Sequence, residues 1–117
     1  MVSHLQNELG HIMIDETVLS NIACHAAMAS YGVVGLAAKS AKDGLYELLG
    51  LENMTKGVTI LENEDHSVTI RLEVIMEYGI RIATVAQNLI ETVRYNVEKS
   101  TGIRVDRVEL YIQGIRM

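Results

Sequence analysis

The 117-residue chain has no proline, no phenylalanine and no tryptophan, and one cysteine. Its core must therefore be built from Ile, Val, Leu, Met and Ala, and the five tyrosines are the only aromatic platforms on which a base could stack. Cys24 alone excludes an internal disulfide framework. No run approaches the roughly 20 apolar residues of a membrane helix, and the most apolar window, Val33 to Ala38, is far too short, so direct membrane insertion is not expected. Basic charge is scarce: 10 Lys and Arg against 15 Asp and Glu leave a formal charge of -5. These cations are scattered singly, which disfavours nucleic acid, because phosphate-backbone binders present a basic face. The start MVSHLQNELG lacks the basic segment and apolar core of a secretory signal, placing the chain in the cytoplasm.

What is present is a dense pattern from residue 67 to 114. Val68, Ile70, Leu72, Val74 and Met76 alternate with Thr69, Arg71, Glu73 and Glu77, the period of a half-buried strand, and only Ile75 interrupts the polar side. Ile82, Val85, Ala86, Leu89, Ile90, Val93 and Val97 then share one helical face, and Gly102 is placed to close the helix in the left-handed conformation. Val108, Leu110 and Ile112 alternate with Arg107, Glu109, Tyr111 and Gln113 in a second strand. A strand, a crossover helix and a parallel strand result, with the helix over one sheet face. The other face stays polar, since a strand covered on both sides reads as an unbroken apolar run.

Around this unit, His11 to Ile14 reads as a short first strand and Asp15 as the cap of a helix ending near Tyr31 and Gly32. Gly32 to Leu36 reads as a buried strand with close backbone contacts. Residues 39–56 are the least regular and are expected to be mobile, with Leu45, Leu48, Leu49 and Leu51 enough for one or two helical turns. Gly57 to Glu62 pairs back onto the long strand. For Val58 and Ile60 to share the face of Val68 and Ile70, the loop must hold an odd number of residues, about three or five. The parity break between Val105 and Val108 predicts a bulge there, or a strand that begins only at Arg107. The expected fold is a single α/β (α+β) domain over 1–117, a two-layer sandwich with a mixed sheet of about four to five strands and two main helices on one face.

Candidate chemistry is thin. Cys24 and His25 are adjacent on a helix and point about 100 degrees apart, too divergent for a thiolate and its base. Asp65 and His66 fit a turn. His4 and His11 lack further ligands at metal spacing, so no metal or cofactor is expected. Gly32, Val33, Val34 and Gly35 match the GxxG of a nucleic-acid clamp, but with apolar middle residues where such clamps expose basic ones. Nothing assembles an acid, a base and a nucleophile, and no enzyme is expected. The remaining candidate is the open sheet face. Arg71, Glu73, Ile75, Glu77, Arg107, Glu109 and Tyr111 form a mixed-charge rim around two anchors, suited to a protein partner or a second copy.

The order of these motifs resembles the alkaline shock protein family, the envelope-stress proteins of Gram-positive bacteria. The resemblance covers about residues 10 to 114 and rests on VLSNIACHAAMASYGVVGL from Val18, KGVTI from Lys56 and the block from Val68 to Gly114. Within that block Glu77, Tyr78 and Gly79, Val93 and Val97, Thr101 and Gly102, and Val105 and Val108 match the family pattern. The chain departs where relatives often carry a proline at the start of the long helix, reading Ile82, Ala83, Thr84 instead, and it lacks the charged extensions of longer members. The resemblance implies a non-enzymatic cytoplasmic protein that can be held at the inner membrane surface by a membrane-anchored partner and supports envelope homeostasis, and the open sheet face together with the absent chemistry points to a scaffold that self-associates and docks on such a partner. The resemblance also implies an alternative, because short members resemble those encoded beside a fatty-acid or dihydroxyacetone kinase-like protein: a small-ligand or acyl-chain accessory role.

Overall fold

The computed structural model describes residues 2–40, 42 and 44–117. The long alternating run forms β6 (Val68–Glu77), whose Val68, Ile70, Leu72, Val74 and Met76 are fully buried. The helical stripe forms α2 (Ile82–Thr101), with Val85, Leu89, Val93 and Val97 buried and Gly102 closing it at φ 76°. β7 (Val105–Arg116) returns parallel to β6. Earlier in the chain come β1 (Val2–Asn7), β2 (Gly10–Asp15), α1 (Glu16–Met28), β3 (Val33–Lys39), β4 (Tyr46–Leu48), a 3-10 turn (Leu51–Gly57) and β5 (Val58–Glu62).

β3 and β5 pair antiparallel with successive halves of one side of β6, β7 takes the other side, and β4 extends the sheet beyond β3. Leu19, Ala23, Ala26 and Ala27 of α1 and the buried stripe of α2 join the inner side chains of β6 in one core, so both helices lie on one face of a mixed five-stranded sheet. The fold is α+β, as the pattern predicts. Ile60 opposes Ile70 and Glu62 opposes Val68, which leaves the five loop residues 63–67, one of the two odd lengths that the shared face allows. The register between β6 and β7 shifts at Val68/Thr69, where the parity of β7 breaks, and shifts again at Val74/Ile75, which the sequence does not announce.

Three local expectations are corrected. α1 ends at Met28, short of Tyr31, and the chain turns at Gly32 (φ 86°) into β3. The first strand is the second arm of a hairpin with β1, a separate two-stranded sheet. The leucines of residues 39–56 do not share a helical face. Leu48 and Leu49 turn in different directions, Leu48 against Gly35 and Leu49 towards the core, while Leu45 and Leu51 are exposed. Neighbouring apolar side chains serving two different surfaces are a strand property, so a strand and a 3-10 turn replace the helical turns.

The loop between β5 and β6 is tied by Asp65, whose carboxylate accepts from the Ser67 hydroxyl (2.6 Å) and amide (3.1 Å) and pairs with Arg104. The Ser67 bonds chiefly, and then Arg104, pull the Asp65 pKa down from 3.8 to about 2. A depressed folded-state pKa contributes stability above the unfolded value, lost as pH falls through the folded one. Asp65→Asn is therefore expected to remove part of the acid limb of the stability profile between about pH 4 and 2, read by denaturant unfolding at stepped pH. A variant whose acid limb superimposes on the parent profile would contradict it.

Candidate partner-binding face

The parallel register lays the outer side chains in rows across β6 and β7: Thr69 beside Arg107, Arg71 beside Glu109, Glu73 beside Tyr111, Ile75 beside Gly114 and Glu77 beside Arg116. All seven residues singled out from the sequence thus share one surface. The rows are stitched by hydrogen bonds. Arg71 Nε donates to Glu109 Oε1 at 2.7 Å, and Arg107 Nη1 lies 3.5 Å from Glu109 Oε2. The bond to Glu109 holds the Arg71 proton more firmly than usual. Glu73 Oε1 accepts from the Tyr46 hydroxyl at 2.9 Å and from Gln113 Nε2 at 3.4 Å, and this carboxylate raises the Tyr46 pKa. Across these rows three guanidinium groups, of Arg71, Arg107 and Arg116, and three carboxylates, of Glu73, Glu77 and Glu109, cancel. The patch therefore carries no net charge to recruit a phosphate, and the paired side chains are held in place for short-range recognition.

Ile75 lies on this face at a different depth from the one its sequence position suggests. It is 7% exposed and does not offer an accessible anchor. In register it sits between Gly35 of β3 and Gly114 of β7, two positions without side chains. A Cβ at Gly114 would stand 3.8 Å from Ile75 Cγ1, and one at Gly35 would collide with Leu48 Cδ1 at 2.6 Å. β4 thus folds Leu48 into the notch at Gly35, and Tyr46 reaches across Ala37 to Glu73. On the outer face Thr69 and Ile75 are buried and Arg71 and Glu77 exposed, with Tyr111 44% exposed beside Glu73 and Leu61 38% exposed beside Thr69. Sequence reasoning missed Tyr46, Leu48 and Leu61. The alternation of Tyr46 and Leu48 about Glu47 is a signal three residues long, too short to separate from a loop.

The other candidates resolve into structure. Cys24 is buried and its thiol pKa is raised by desolvation, while His25 is exposed on another side of α1. In the GxxG stretch, Gly32 makes the turn, Gly35 receives Leu48, and the β3 register shifts between Val33 and Gly35. Among the described residues no three His, Cys, Asp or Glu side chains converge as metal ligands, and no helix is long and apolar enough to cross a membrane.

Comparison with known proteins adds an independent observation. The profile of the alkaline shock protein 23 family, described by a cell envelope-related function, matches residues 4–117. The chain is 38% identical over 118 residues to an uncharacterized protein, YloU, of Bacillus subtilis, covering 100% of this chain and 98% of that one. It is 33% identical over 118 residues to an uncharacterized protein of Streptococcus pyogenes, covering 100% and 97%. A second Bacillus subtilis protein, YqhY, also uncharacterized, is 28% identical over 115 residues, 98% of this chain and 84% of that one. No solved structure matches.

Proposed function

Because the chain belongs to the alkaline shock protein 23 family, described by a cell envelope-related function rather than by a reaction, we propose that it is a non-catalytic scaffold of the cytoplasmic side of the envelope. It self-associates and docks a membrane-anchored protein through the outer sheet face. The observation that carries this reading is the middle of that face, where Tyr111 stands half exposed beside the paired charges of Arg71, Arg107 and Glu109. Tyrosine and arginine are the residues enriched in protein interfaces, and rim charges set partner choice. Tyr111→Glu combined with Arg107→Glu is expected to leave folding intact, both side chains being exposed, and to weaken capture of the membrane partner at least about 100-fold, the loss of a central anchor. Affinity purification from host membranes with parent and variant reads this directly. Equal recovery of the same membrane protein by both would end the reading.

A second reading, an acyl-chain accessory role, is favoured by one feature. A groove of about 390 Å³ runs between α1 and α2, floored by Ile22, Ala26 and Ala29 and rimmed by Asn21, His25 and Asn96, a size that suits a small ligand. Among the described residues, none of 39–56 lines it. A fatty acid or acyl phosphate that binds must raise the melting temperature by mass action; a thermal-shift series without stabilisation would dispose of this role.

A further inference from the structure

β7 (Val105–Arg116) is the longest strand of the five-stranded sheet, yet among the described residues it pairs on one side only, with β6. The hydrogen bonds at its two ends show which backbone groups that leaves over. Val68 N–H donates to Arg104 O and Tyr78 N–H to Arg116 O, whereas Glu77 N–H turns the other way, to Gly32 O. Successive residues of a strand send their backbone groups to opposite sides, so the even-numbered residues of β6 serve β7 and the odd-numbered ones serve β3 and β5. Within β7 the residues opposite the even set, Val108, Leu110 and Ile112, therefore aim their own N–H and C=O groups away from the sheet.

The open stretch has a stop at each end. Before it, the outward groups of Val105 are already taken, the N–H by Glu98 Oε2 at 2.9 Å and the carbonyl by Arg94 Nη2 at 2.8 Å. After it, the register shifts between Ile112 and Gly114, which breaks the alternation. Between the stops the strand has neither proline nor lysine, the usual guards of an edge. Its helix-side residues are apolar, with Val108 in the core, Leu110 and Ile112 only partly buried against it, and Ile90 partly buried one turn before Arg94 on the same face of α2. A free ladder edge beside a half-covered apolar strip is completed by a further strand.

We infer that β7 pairs antiparallel with β7 of a second copy, about a two-fold axis at Leu110, joining the two sheets edge to edge. This register uses the whole open stretch. Val108 falls opposite Ile112 of the second copy and Leu110 opposite its own mate, so all three outward residues find partners and the apolar strip closes on itself. On the outer face Glu109 meets Tyr111 and Arg107 meets Gln113, so no like charges oppose, and nothing is asked of Arg71, Arg107 or Glu109 beyond the contacts they already make. Moving the axis to Glu109 would set Glu109 against its own mate and drive Gln113 onto the engaged Val105. Moving it to Tyr111 would set Val108 opposite Gly114, beyond the register shift.

The inference rests on the self-association in the reading above and names the surface that performs it. Sedimentation of the purified chain over a concentration series is expected to give a monomer–dimer equilibrium. Leu110→Pro removes one outward N–H per copy without touching the β6–β7 ladder, and should weaken the dimer at least about tenfold with an unchanged circular dichroism spectrum, since both bonds at the axis are lost. Leu110→Cys places two thiols across the axis, at a Cα separation of about 5.5 Å for a hydrogen-bonded pair, within disulfide range. It should give a covalent dimer on a non-reducing gel. Ile112→Cys should not, because its mate lies four residues along the ladder, about 14 Å away. A parent that is monomeric throughout would remove both self-association and this inference. A dimer that withstands Leu110→Pro, or that Leu110→Cys does not cross-link, would overturn the β7 edge alone. No membrane protein takes part in these measurements, so the capture test of Tyr111→Glu with Arg107→Glu stands apart from them.

Discussion

Ile75→Lys is expected to destabilise the domain by about 3 kcal/mol or more, because it puts an unpaired ammonium where a side chain is almost fully withdrawn from water. On sequence pattern the same substitution looks like a mild change on a polar sheet face. The difference lies in the 7% exposure of Ile75 between Gly35 and Gly114. At about 4 °C per kcal/mol for a domain of this size, the melting temperature should fall by about 12 °C. Ile75→Val, which removes one methylene and adds no charge, should cost only about 1 kcal/mol. Thermal and urea unfolding of the pair would separate the cases, and a lysine variant that melts with the parent would mean that water already reaches this position. Loss of partner capture by Ile75→Lys would report unfolding, so Tyr111 is the proper test of the face.

Gly32→Ala should cost about 2 to 5 kcal/mol, from two causes that add. At φ 86° an L side chain adds about 1 to 2 kcal/mol of backbone strain. The new Cβ would also lie 2.8 Å from Ile80 Cδ1 and 2.9 Å from Val85 Cγ1, and relieving such overlap in a packed core costs about 1 to 3 kcal/mol. Gly79 supplies the control. Its φ is 89°, but nothing lies within 4 Å of a Cβ built there, so Gly79→Ala should show only the strain, about 1 to 2 kcal/mol. Equal losses at the two positions would contradict the packing of Gly32 against the start of α2. Neither substitution alters charge, so an effect of Gly32→Ala on low-salt RNA retention is not expected.

The start of α2 illustrates how an absence in the sequence becomes visible in the fold. With no proline available, the N-cap position is occupied by Arg81, which makes no side-chain capping bond, and the first turn holds no acidic residue. The helix is held by burial instead: Val85 N–H bonds back to Arg81 O at 3.0 Å, and Val85, Leu89, Val93 and Val97 lock the stripe onto the sheet. Its far end is better defined. Gly102 N–H bonds to Glu98 O, while Arg94 donates to the carbonyls of Val105 and Asp106 and Glu98 Oε2 accepts from Val105 N–H, fastening the entry of β7 to the helix.

Much of the site was legible for the same reason as the fold. The alternation of β6 puts Arg71 and Glu73 on one side and Leu72 and Val74 on the other. A parallel neighbour in even register must then bring Glu109 and Tyr111 beside them. Hidden from the sequence was the partner supplied by a segment outside the strand–helix–strand unit. Tyr46 meets Glu73 across 27 positions of chain, whereas Gln113, on the polar side of β7, meets it from within the unit.

By itself the sequence determined the features set by local periodicity and stereochemistry: the strand–helix–strand unit, the odd loop at residues 63–67, the bulge near Asp106, the end of α2 at Gly102 and the face on which each side chain of β6 stands. Only the tertiary structure decided how deep those side chains lie and what covers them, because burial is set by segments far away in sequence. Leu48 entering the notch at Gly35 helped to bury Ile75 on an otherwise polar face, and a hairpin that turns Leu5 and Ile14 to the core left Leu9, Ile12 and Met13 exposed. A two-residue period says which way a side chain points; what it meets there depends on loops whose course no short-range pattern encodes.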